Sequence, residues 1–452
     1  MAEELEEKTG DRLDDVIEAF QGESLQEVHR QVNKLHPAEI AHLLESLPAD
    51  ERESIWELVD PEIDGEVLLH LNDEVRSALI KKMDPQELVA ATENLDTDDL
   101  ADILPEMPGD VVQEVLLTME YQDRQRLESV LSYPEDTAGG LMNVDTVVVR
   151  ADISLDVVLR YLRRRGEIPE TTDTLFVVNR DGKYLGTLWL TDLLTNAPDL
   201  TVAEVMHRDV EGIAATTSAQ QVANLFERRD LVTAPVVDDE GHLLGRITID
   251  DVVDVIRDEA EHSFMSMAGL TEDEDMFAPV LISTKRRAVW LGINLVTAFL
   301  ASWVIGLFDA TINKLVALAV LMPIVASMGG IAGSQTLTLV IRGIALGQIS
   351  KSNSTRLLVK ELAVGFFNGL IWALVIAAVA ALWFNNDMLG VIIAAAMVIN
   401  LIAAALVGVT IPLVLRRLGA DPALAGSVVL TTFTDVIGFA SFLGLAALFL
   451  VK

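Results

Sequence analysis

A twelve-residue repeat is the first pattern along the chain, and it covers most of the N-terminal third. In each unit an acidic or proline-containing opening, such as Leu47-Pro-Ala-Asp-Glu51, precedes an apolar position by eight residues. Openings of this kind are typical of a helix N-cap and first turn. Each unit therefore predicts one short helix, and the stacked units predict an N-terminal α-helical solenoid. The repeated apolar positions are Leu43, Ile55, Val67, Leu79, Ala91, Ile103, Val115 and Leu127.

From about residue 139 this period gives way to short β runs at 147–149, 174–178 and 185–188, which alternate with helix-like stretches. The pattern of residues 176–192 then recurs at 235–251, where Pro-Val-Val-Asp-Asp-Glu-Gly follows the order of Phe-Val-Val-Asn-Arg-Asp-Gly. A duplicated pattern of strands and helices predicts two α/β units of one fold.

The duplicated stretch resembles a tandem pair of CBS domains, a regulatory module that commonly binds adenine nucleotides or ions between its halves. Its second half contains Thr248-x-x-Asp251, which matches the ribose-contacting pattern of nucleotide-binding members. In the first half Trp189 stands where the threonine is expected. The resemblance implies Thr248 and Asp251 as a site for regulatory ATP, with the first half departing from the pattern.

Five long apolar stretches make up the C-terminal part of the chain. Each has at least 21 residues, and a helix needs about 20 to cross a bilayer. The pattern predicts an all-α domain of five transmembrane helices, with the lipid bilayer as its partner. The stretches are residues 288–308, 315–341, 362–384 and 388–415, which carry no charge, and 422–451, which carries only Asp435.

The charges flanking these stretches predict an orientation. Nine basic residues precede the first stretch or lie between the second and third and between the fourth and fifth, whereas the other side has only Lys314 and Lys452. Because basic loops stay in the cytoplasm, we expect a multi-pass protein of the plasma (inner) membrane with a cytoplasmic N-terminus and an extracytoplasmic C-terminus. Residues 1–10 are acidic and contain no apolar run, so no signal peptide is expected.

The charge of the chain is divided unequally between its two halves. The 452 residues have a net charge of −36, yet from residue 283 onward there are 11 basic and 5 acidic residues, which leaves 22 basic and 64 acidic residues before it. An acidic surface repels phosphate, so nucleic acid is excluded as a partner. The absence of cysteine excludes disulfides and thiolate zinc sites.

Asp435 is the one charge inside the last apolar stretch, close to mid-membrane. A charge there costs on the order of 3 kcal/mol, so it should face water or a partner. Ser427, Thr431 and Asp435 are spaced four apart and share one helix face. This face predicts a pore lining in which a carboxylate and hydroxyls hold a hydrated divalent cation through its waters. The alternative is a neutral carboxylic acid packed between helices.

The second apolar stretch contains residues that weaken a helix or allow close approach. Pro323 lacks a backbone donor, and Gly329, Gly330 and Gly333 lack side chains. Gly329 and Gly330 are predicted to line the pore beside the fifth helix. The alternative is a packing seam formed by the G-x-x-x-G pair Gly329 and Gly333, and the two interpretations are compatible.

The order of an acidic helical repeat, a CBS pair and five spans resembles the MgtE family of magnesium channels and transporters over nearly the whole chain. Two segments sharpen the resemblance: Pro323-Ile-Val-Ala-Ser-Met-Gly-Gly-Ile-Ala-Gly-Ser-Gln335, and Thr431-Thr-Phe-Thr-Asp435-Val-Ile-Gly438. The family implies a homodimer with a pore on its two-fold axis, selective for Mg²⁺ and closed by cytosolic Mg²⁺ bound between the N and CBS domains. Ile331 departs from the family, because many members have a polar Asn there.

The resemblance also implies a set of regulatory metal ligands. Several acids expected by it are absent here, since those positions hold Ser218, Gln220, His262 and Ser263. We therefore expect fewer and weaker regulatory Mg²⁺ sites. The implied ligands are Glu66, Asp98 and Asp102 in the solenoid, Asp230, Asp251, Asp254 and Glu259 in the CBS pair, and Asp421 as the contact between pore and regulator.

The predicted protein is thus a multi-domain membrane protein that takes up magnesium and is not an enzyme. A coupled secondary transporter of divalent cations and a non-conducting membrane ion sensor are the alternatives, and no G-x-x-x-x-G-K-[ST] loop for an ATP-driven pump is present. The predicted domains are an acidic helical-repeat N domain (1–132), CBS 1 (133–200), CBS 2 (201–260), a connecting helix or linker (261–286) and the five-helix transmembrane pore domain (287–452).

Overall fold

The computed structural model divides the chain into two compact units, which are described separately. The first comprises Met1–Ala260 with Asp273–Pro279, and the second Glu261–Glu272 with Val280–Lys452. The structure describes residues 25–92, 95, 97–119, 121–166, 168–169, 171–271, 274–350 and 352–450.

The first unit begins with short helices that follow the twelve-residue repeat. All eight predicted apolar positions are at most 6% exposed, so the predicted register is confirmed. One helix starts late, at Asp64, because residues 60–63 form a turn in which the Ile63 N–H donates to the Asp60 carbonyl at 3.0 Å. The helices are α1 (Leu25–Val32), α2 (Pro37–Glu45), α3 (Ala49–Trp56), α4 (Asp64–His70), α5 (Asp73–Ile80), α6 (Pro85–Thr92), α7 (Thr97–Ile103), α8 (Gly109–Thr118) and α9 (Tyr121–Val130).

A buried ion pair joins the helical repeat to a segment far along the chain. Arg52 of α3 is 3% exposed and donates to both carboxylate oxygens of Asp275, at 3.0 and 3.2 Å. It also donates to the carbonyls of Leu44 and Leu47, at 2.8 and 3.0 Å. The Asp275 N–H in turn donates to Glu74 at 2.8 Å. These bonds satisfy both buried charges, as the burial of an ion pair requires.

The duplicated stretch forms two three-stranded sheets with the same order and directions. In each sheet the first strand pairs parallel with the second, and the second pairs antiparallel with the third. The strands are β1 (Val148–Arg150), β2 (Thr174–Val178) and β3 (Tyr184–Trp189), then β4 (Ile213–Ala214), β5 (Thr233–Val237) and β6 (Leu243–Thr248). The accompanying helices are α10 (Leu155–Arg165), α11 (Leu190–Thr195), α12 (Val202–Val205) and α13 (Ala219–Arg229).

A long helix, α14 (Ile249–Met267), follows the second sheet in the chain. Five helices of the described chain are long and apolar enough to span a membrane, as predicted. The second and fourth contain Pro323 and Pro412 but are continuous helices. The helices are α15 (Val280–Gly306), the short α16 (Asp309–Lys314), α17 (Ala317–Ala345), α18 (Ser354–Phe384), α19 (Asp387–Arg417) and α20 (Pro422–Phe449).

Candidate functional site

The second and fifth membrane helices, α17 and α20, line a cavity of about 930 Å³. Asp435 and Thr431 of α20 lie in its wall, one helical turn apart. Asp435 is half-buried, and Thr431 is exposed. The Thr431 hydroxyl donates to the Ser427 carbonyl of its own helix at 3.0 Å, so its oxygen lone pairs stay available to the cavity. Ser427 itself is not among the lining residues.

The opposite wall of the cavity is a polar face of α17 that the sequence interpretation missed. Ser327, Ser334 and Thr338 lie on it, and Gln335 flanks them. The intervals of seven and four residues between the first three place them on one helix face. That spacing was readable in the sequence but was obscured by the apolar residues between them. Ile331, the departure from the family pattern, lies on the same wall and is 55% exposed.

The glycines of α17 point to two different faces. Gly330 lines the cavity, and an added Cβ there would meet no atom within 4 Å. A Cβ on Gly329 would lie 2.2 Å from the side-chain nitrogen of Asn400, and one on Gly333 would lie 2.7 Å from Leu430. Gly329 and Gly333 therefore form the packing seam, and Gly329 does not line this cavity as the sequence interpretation expected.

Asp421 caps the N-terminus of α20 at the end of the membrane domain with the basic loops. Its two oxygens accept from the backbone N–H groups of Ala423 and Leu424, at 2.8 and 3.0 Å. The imidazole of His262, near the end of α14, lies 3.4 Å from Asp421 Oδ2. A histidine at a position where the family resemblance implies an acid thus contacts one of the expected metal ligands directly.

A second departure behaves in the same way. Gln220 of α13 donates from its amide to Glu259 of α14 at 2.9 Å. An acid at position 220 would place two carboxylates side by side, an arrangement that favours a bridging cation. The amide of Gln220 instead donates a hydrogen bond to the Glu259 carboxylate, and no bridging cation is needed. The two departures, Gln220 and His262, therefore each replace an expected acid by a side chain that contacts a predicted ligand directly.

The other predicted ligands lie mostly on the surface. Glu66, Asp102, Asp230 and Asp254 are exposed, and the side chain of Asp98 lies outside the described part of the chain. Within the residues that the structure describes, no three acidic or histidine side chains come close enough to hold a metal ion. The predicted regulatory ligands are therefore not gathered into a finished site in this conformation.

Two of these acids do share a neighbour. Burial lowers the pKa of His70 in α4, and His36 lowers this pKa further, whereas Asp254 and Glu66 act in the opposite direction. Glu66 belongs to the helical repeat and Asp254 to the second CBS half, so both carboxylates act on one imidazole in the first unit. The two acidic surfaces are thus close enough to interact electrostatically at His70.

In the second CBS half, the two residues of the nucleotide-type element, Thr248 and Asp251, hydrogen-bond to each other. Thr248 is 5% exposed, and its hydroxyl and N–H lie 3.2 and 3.3 Å from Asp251 Oδ2. In the first half Trp189 stacks on His207 with ring centroids 4.0 Å apart, and His207 lies 2.8 Å from Asp192. The two halves share a topology but present different groups at this position.

Sequence profiles of three families match the chain. The profile described as "MgtE: Divalent cation transporter" matches residues 322–445, the MgtE intracellular N domain matches 35–136, and the CBS domain matches 138–198 and 202–258. The cavity helices α17 and α20 lie almost entirely within the first of these matches.

Relatives named "Magnesium transporter MgtE" resemble the chain over most of its length. The protein of Thermus thermophilus is 31% identical over 99% of both chains, and that of Bacillus subtilis is 27% identical over 93% of both. Among solved structures, the cytosolic domain of the Mg²⁺ channel MgtE in complex with ATP is 33% identical, covers 54% of this chain and 99% of its own, and has a TM-score of 0.48.

Proposed function

We propose that this chain is a Mg²⁺-selective channel. The premise is that the chain belongs to the MgtE family of magnesium transporters and carries Mg²⁺ across a membrane. In this proposal it mediates magnesium uptake across the plasma membrane and is closed by cytosolic Mg²⁺ bound between the N and CBS domains. The observation that carries the proposal is the position of Asp435 in the wall of the α17–α20 cavity.

The cavity suits a cation that keeps its water. Six waters occupy about 180 Å³ at about 30 Å³ each, and the cavity volume is about 930 Å³. Mg²⁺ dehydrates reluctantly and prefers oxygen ligands. Asp435 supplies the charge, while Thr431, Ser327 and Ser334 supply hydroxyl oxygens to the hydration shell. Such a site binds a divalent cation weakly enough to release it, as conduction requires.

A second copy of the chain is the partner proposed to complete the pore. The cavity is open on one side, and the exposed apolar side chains of Ile331 and Leu339 line it. Because the chain has no cysteine, Leu339→Cys reports on one contact alone. Disulfide-linked dimers of this variant in native membranes are expected. A chain that stays monomeric, with lipid on this face, would exclude the shared pore.

The gate is proposed to use the acidic surfaces of the first unit. Like charges on the helical repeat and the CBS pair repel, and bound Mg²⁺ offsets this repulsion and favours the compact form. The shared effect of Glu66 and Asp254 on His70 supports their proximity. In this proposal Mg²⁺ protects residues 132–140 and the linker 258–285 from protease, whereas K⁺ at equal ionic strength does not.

Neutralising CBS ligands tests the direction of this gate. The triple variant Asp251→Asn, Asp254→Asn and Glu259→Gln is expected to conduct at Mg²⁺ concentrations that silence the parent, because a bridging cation contributes more than screened surface repulsion costs. The control Asp181→Asn, Asp239→Asn and Glu240→Gln removes three exposed loop charges from the same CBS pair. Closure of the triple variant at lower Mg²⁺ than the parent would show that repulsion dominates.

ATP is proposed as a regulator of the second CBS half. Thr248 and Asp251 match a ribose-contacting element, and they already bond one another. The ribose 2′-hydroxyl of bound ATP would replace the Thr248 hydroxyl as a hydrogen-bond donor to the Asp251 carboxylate. Titration calorimetry with ATP should give a binding heat that Thr248→Val and Asp251→Asn both remove. A heat that persists in both variants would place the nucleotide elsewhere.

The proposed orientation has a cytoplasmic N-terminus and an extracytoplasmic C-terminus. Nine basic residues flank one side of the five spans, and such loops stay in the cytoplasm. A tag after Lys452 should react with an impermeant reagent in intact cells, and a tag before Met1 should not. Reaction of both tags would require an even number of spans.

Single-channel recording of the purified protein in a bilayer tests the channel itself. Discrete Mg²⁺ currents that cease when Mg²⁺ is added on the N-terminal side are expected. Interrupted helices occur in coupled secondary transporters, whereas α17 is one continuous helix across Pro323. A membrane sensor would need no carboxylate in a membrane cavity. Mg²⁺ uptake without currents, dependent on a second ion, would favour the transporter.

A further inference from the structure

Asn400 is a polar side chain of the membrane unit that does not line the cavity and that the sequence did not indicate as a functional residue. Asn400, near the middle of α19, is 0% exposed. Its amide donates to the backbone carbonyl of Val325 in α17 at 2.8 Å. Its Oδ1 is buried and has no hydrogen-bonding partner among the described residues. A buried acceptor without a donor is costly, so an apolar residue would serve packing alone better.

Two glycines make the space that Asn400 occupies. An added Cβ would lie 2.2 Å from its Nδ2 at Gly329 of α17 and 2.9 Å from it at Gly438 of α20. Small residues let membrane helices approach closely, and here they do so around one amide. Asn400 therefore contacts both helices that line the cavity, although it is not itself a lining residue.

The backbone that Asn400 contacts carries the cavity residues. Gly330, which lines the cavity, follows Gly329 directly. Asp435 precedes Gly438 by three residues, or about one helical turn. The bond to the Val325 carbonyl is directional, so it sets the rotation of α17 about its axis as well as its distance from α19. A shift in either would change how the two walls of the cavity face one another.

We propose that Asn400 is a positioning residue for Mg²⁺ transport, which holds α17 and α20 at the spacing and rotation that present Asp435 and the α17 hydroxyls to one hydrated cation. This inference rests on the proposed passage of Mg²⁺ through the cavity. It assigns Asn400 no contact with the ion. Its effect is on the geometry of the site, so selectivity should respond together with rate.

The test is Asn400→Leu, which keeps the branched shape of the side chain and removes the amide. In proteoliposomes with matched amounts of folded protein, we expect at least a tenfold lower maximal Mg²⁺ flux and a changed ratio of Mg²⁺ to Mn²⁺ flux. Asn400→Ala, which removes the same bond without a bulkier side chain, is measured in parallel. The control is Thr410→Val on the same helix, because the Thr410 hydroxyl bonds the Leu406 carbonyl of α19 itself at 2.8 Å.

A double-mutant cycle keeps this inference separable from the proposed function. Gly438→Ala should lower the melting temperature of the parent but not that of Asn400→Ala, because removal of the amide frees the space. Additive losses would overturn the assigned contact. The melting temperatures could instead show the expected coupling while both Asn400 variants keep the Mg²⁺ flux and the Mg²⁺ to Mn²⁺ ratio of the parent. That result would overturn the positioning role. If Asp435→Ala also transported normally, the cavity would not be the path.

Discussion

Carboxylates are placed differently in the two halves of the chain. The first 282 residues hold 64 acids, whereas the membrane half holds five, and most acids of the first 282 residues that the structure describes lie at the surface. In the first unit Asp275 is buried only with the bidentate partner Arg52. In the second unit Asp435 is half-buried in a membrane helix and lines the α17–α20 cavity. It faces this space, where Asp275 faces a paired arginine.

The difference shows how the surroundings decide what one chemical group does. On a hydrated surface a carboxylate costs little and contributes little by itself. In a buried site it needs a paired cation. In a membrane it is retained where it faces water or a permeating ion. Substitutions that remove one carboxylate from each environment should therefore differ in both size and kind.

The largest effect is expected at Asp435. Asp435→Ala should lower Mg²⁺ uptake by at least about tenfold without loss of expression, because it removes the charge that attracts the divalent cation. Asp435→Asn should fail as well if charge is required. The control is Asp387→Asn, which removes an exposed carboxylate at the first turn of α19. Growth of a transporter-deficient strain on low Mg²⁺ with Asp435→Ala would contradict the proposed role.

The next effect concerns the buried pair. Arg52→Met should destabilise the first unit by about 3–5 kcal/mol, because it leaves Asp275 buried without its cation. Adding Asp275→Leu should recover part of this loss, since the uncompensated charge is then gone. Lys82→Met, which breaks the exposed pair with Glu53, should cost at most about 1 kcal/mol. Hydrogen exchange of the full-length protein measures all three, and equal losses for Arg52→Met and Lys82→Met would refute the contrast.

Asp64 is a carboxylate between these extremes. Burial, with smaller contributions from the charges of Glu87 and Asp60, raises its pKa to about 7, and its Oδ1 has no hydrogen-bonding partner among the described residues. Between the ordinary value of 3.8 and about 7 the folded form binds a proton that the unfolded form does not. Stability should therefore rise as the pH falls from about 7 towards 4.

Asp64→Asn should consequently stabilise α4 at about pH 8, by on the order of 1 kcal/mol once solvent screening is discounted. The gain should shrink towards zero as the pH falls below the ordinary pKa of 3.8, where the parent carboxyl is protonated in both states. Hydrogen exchange of the α4 amides, compared at equal pH, measures it. Glu62→Gln, which neutralises an exposed neighbour, is the control, and an equal gain in that variant would contradict burial as the cause.

The smallest effect is expected from restoring an acid. Gln220→Glu replaces the amide that bonds Glu259 by a second carboxylate, and adjacent carboxylates favour a bridging cation. Closure should then need about two- to threefold less Mg²⁺, since screened surface charges contribute little each. Gln220→Ala separates this gain from simple loss of the amide bond. Unchanged Mg²⁺ sensitivity in Gln220→Glu would place the regulatory ions away from Glu259.

The sequence predicted the fold well where one pattern repeats along the chain. The eight repeated apolar positions are buried, and the five apolar stretches are helices. Prediction of the site was less complete. Asp435 and Thr431 line the cavity with Gly330, but Gly329 faces Asn400 instead. Adjacent residues on a helix point about 100° apart, so composition alone could not say which glycine faces the cavity.

What the sequence by itself determined is local or additive: the period of the helices, the duplicated α/β pattern, the apolar spans and the division of charge. These follow from neighbours in the chain and from transfer of side chains out of water, which need no knowledge of packing. Only the tertiary structure decided which distant groups meet. Arg52 and Asp275 are 223 residues apart, and Asn400 and Val325 are 75 apart. Such pairs arise from how helices pack, and packing depends on all the side chains at an interface together.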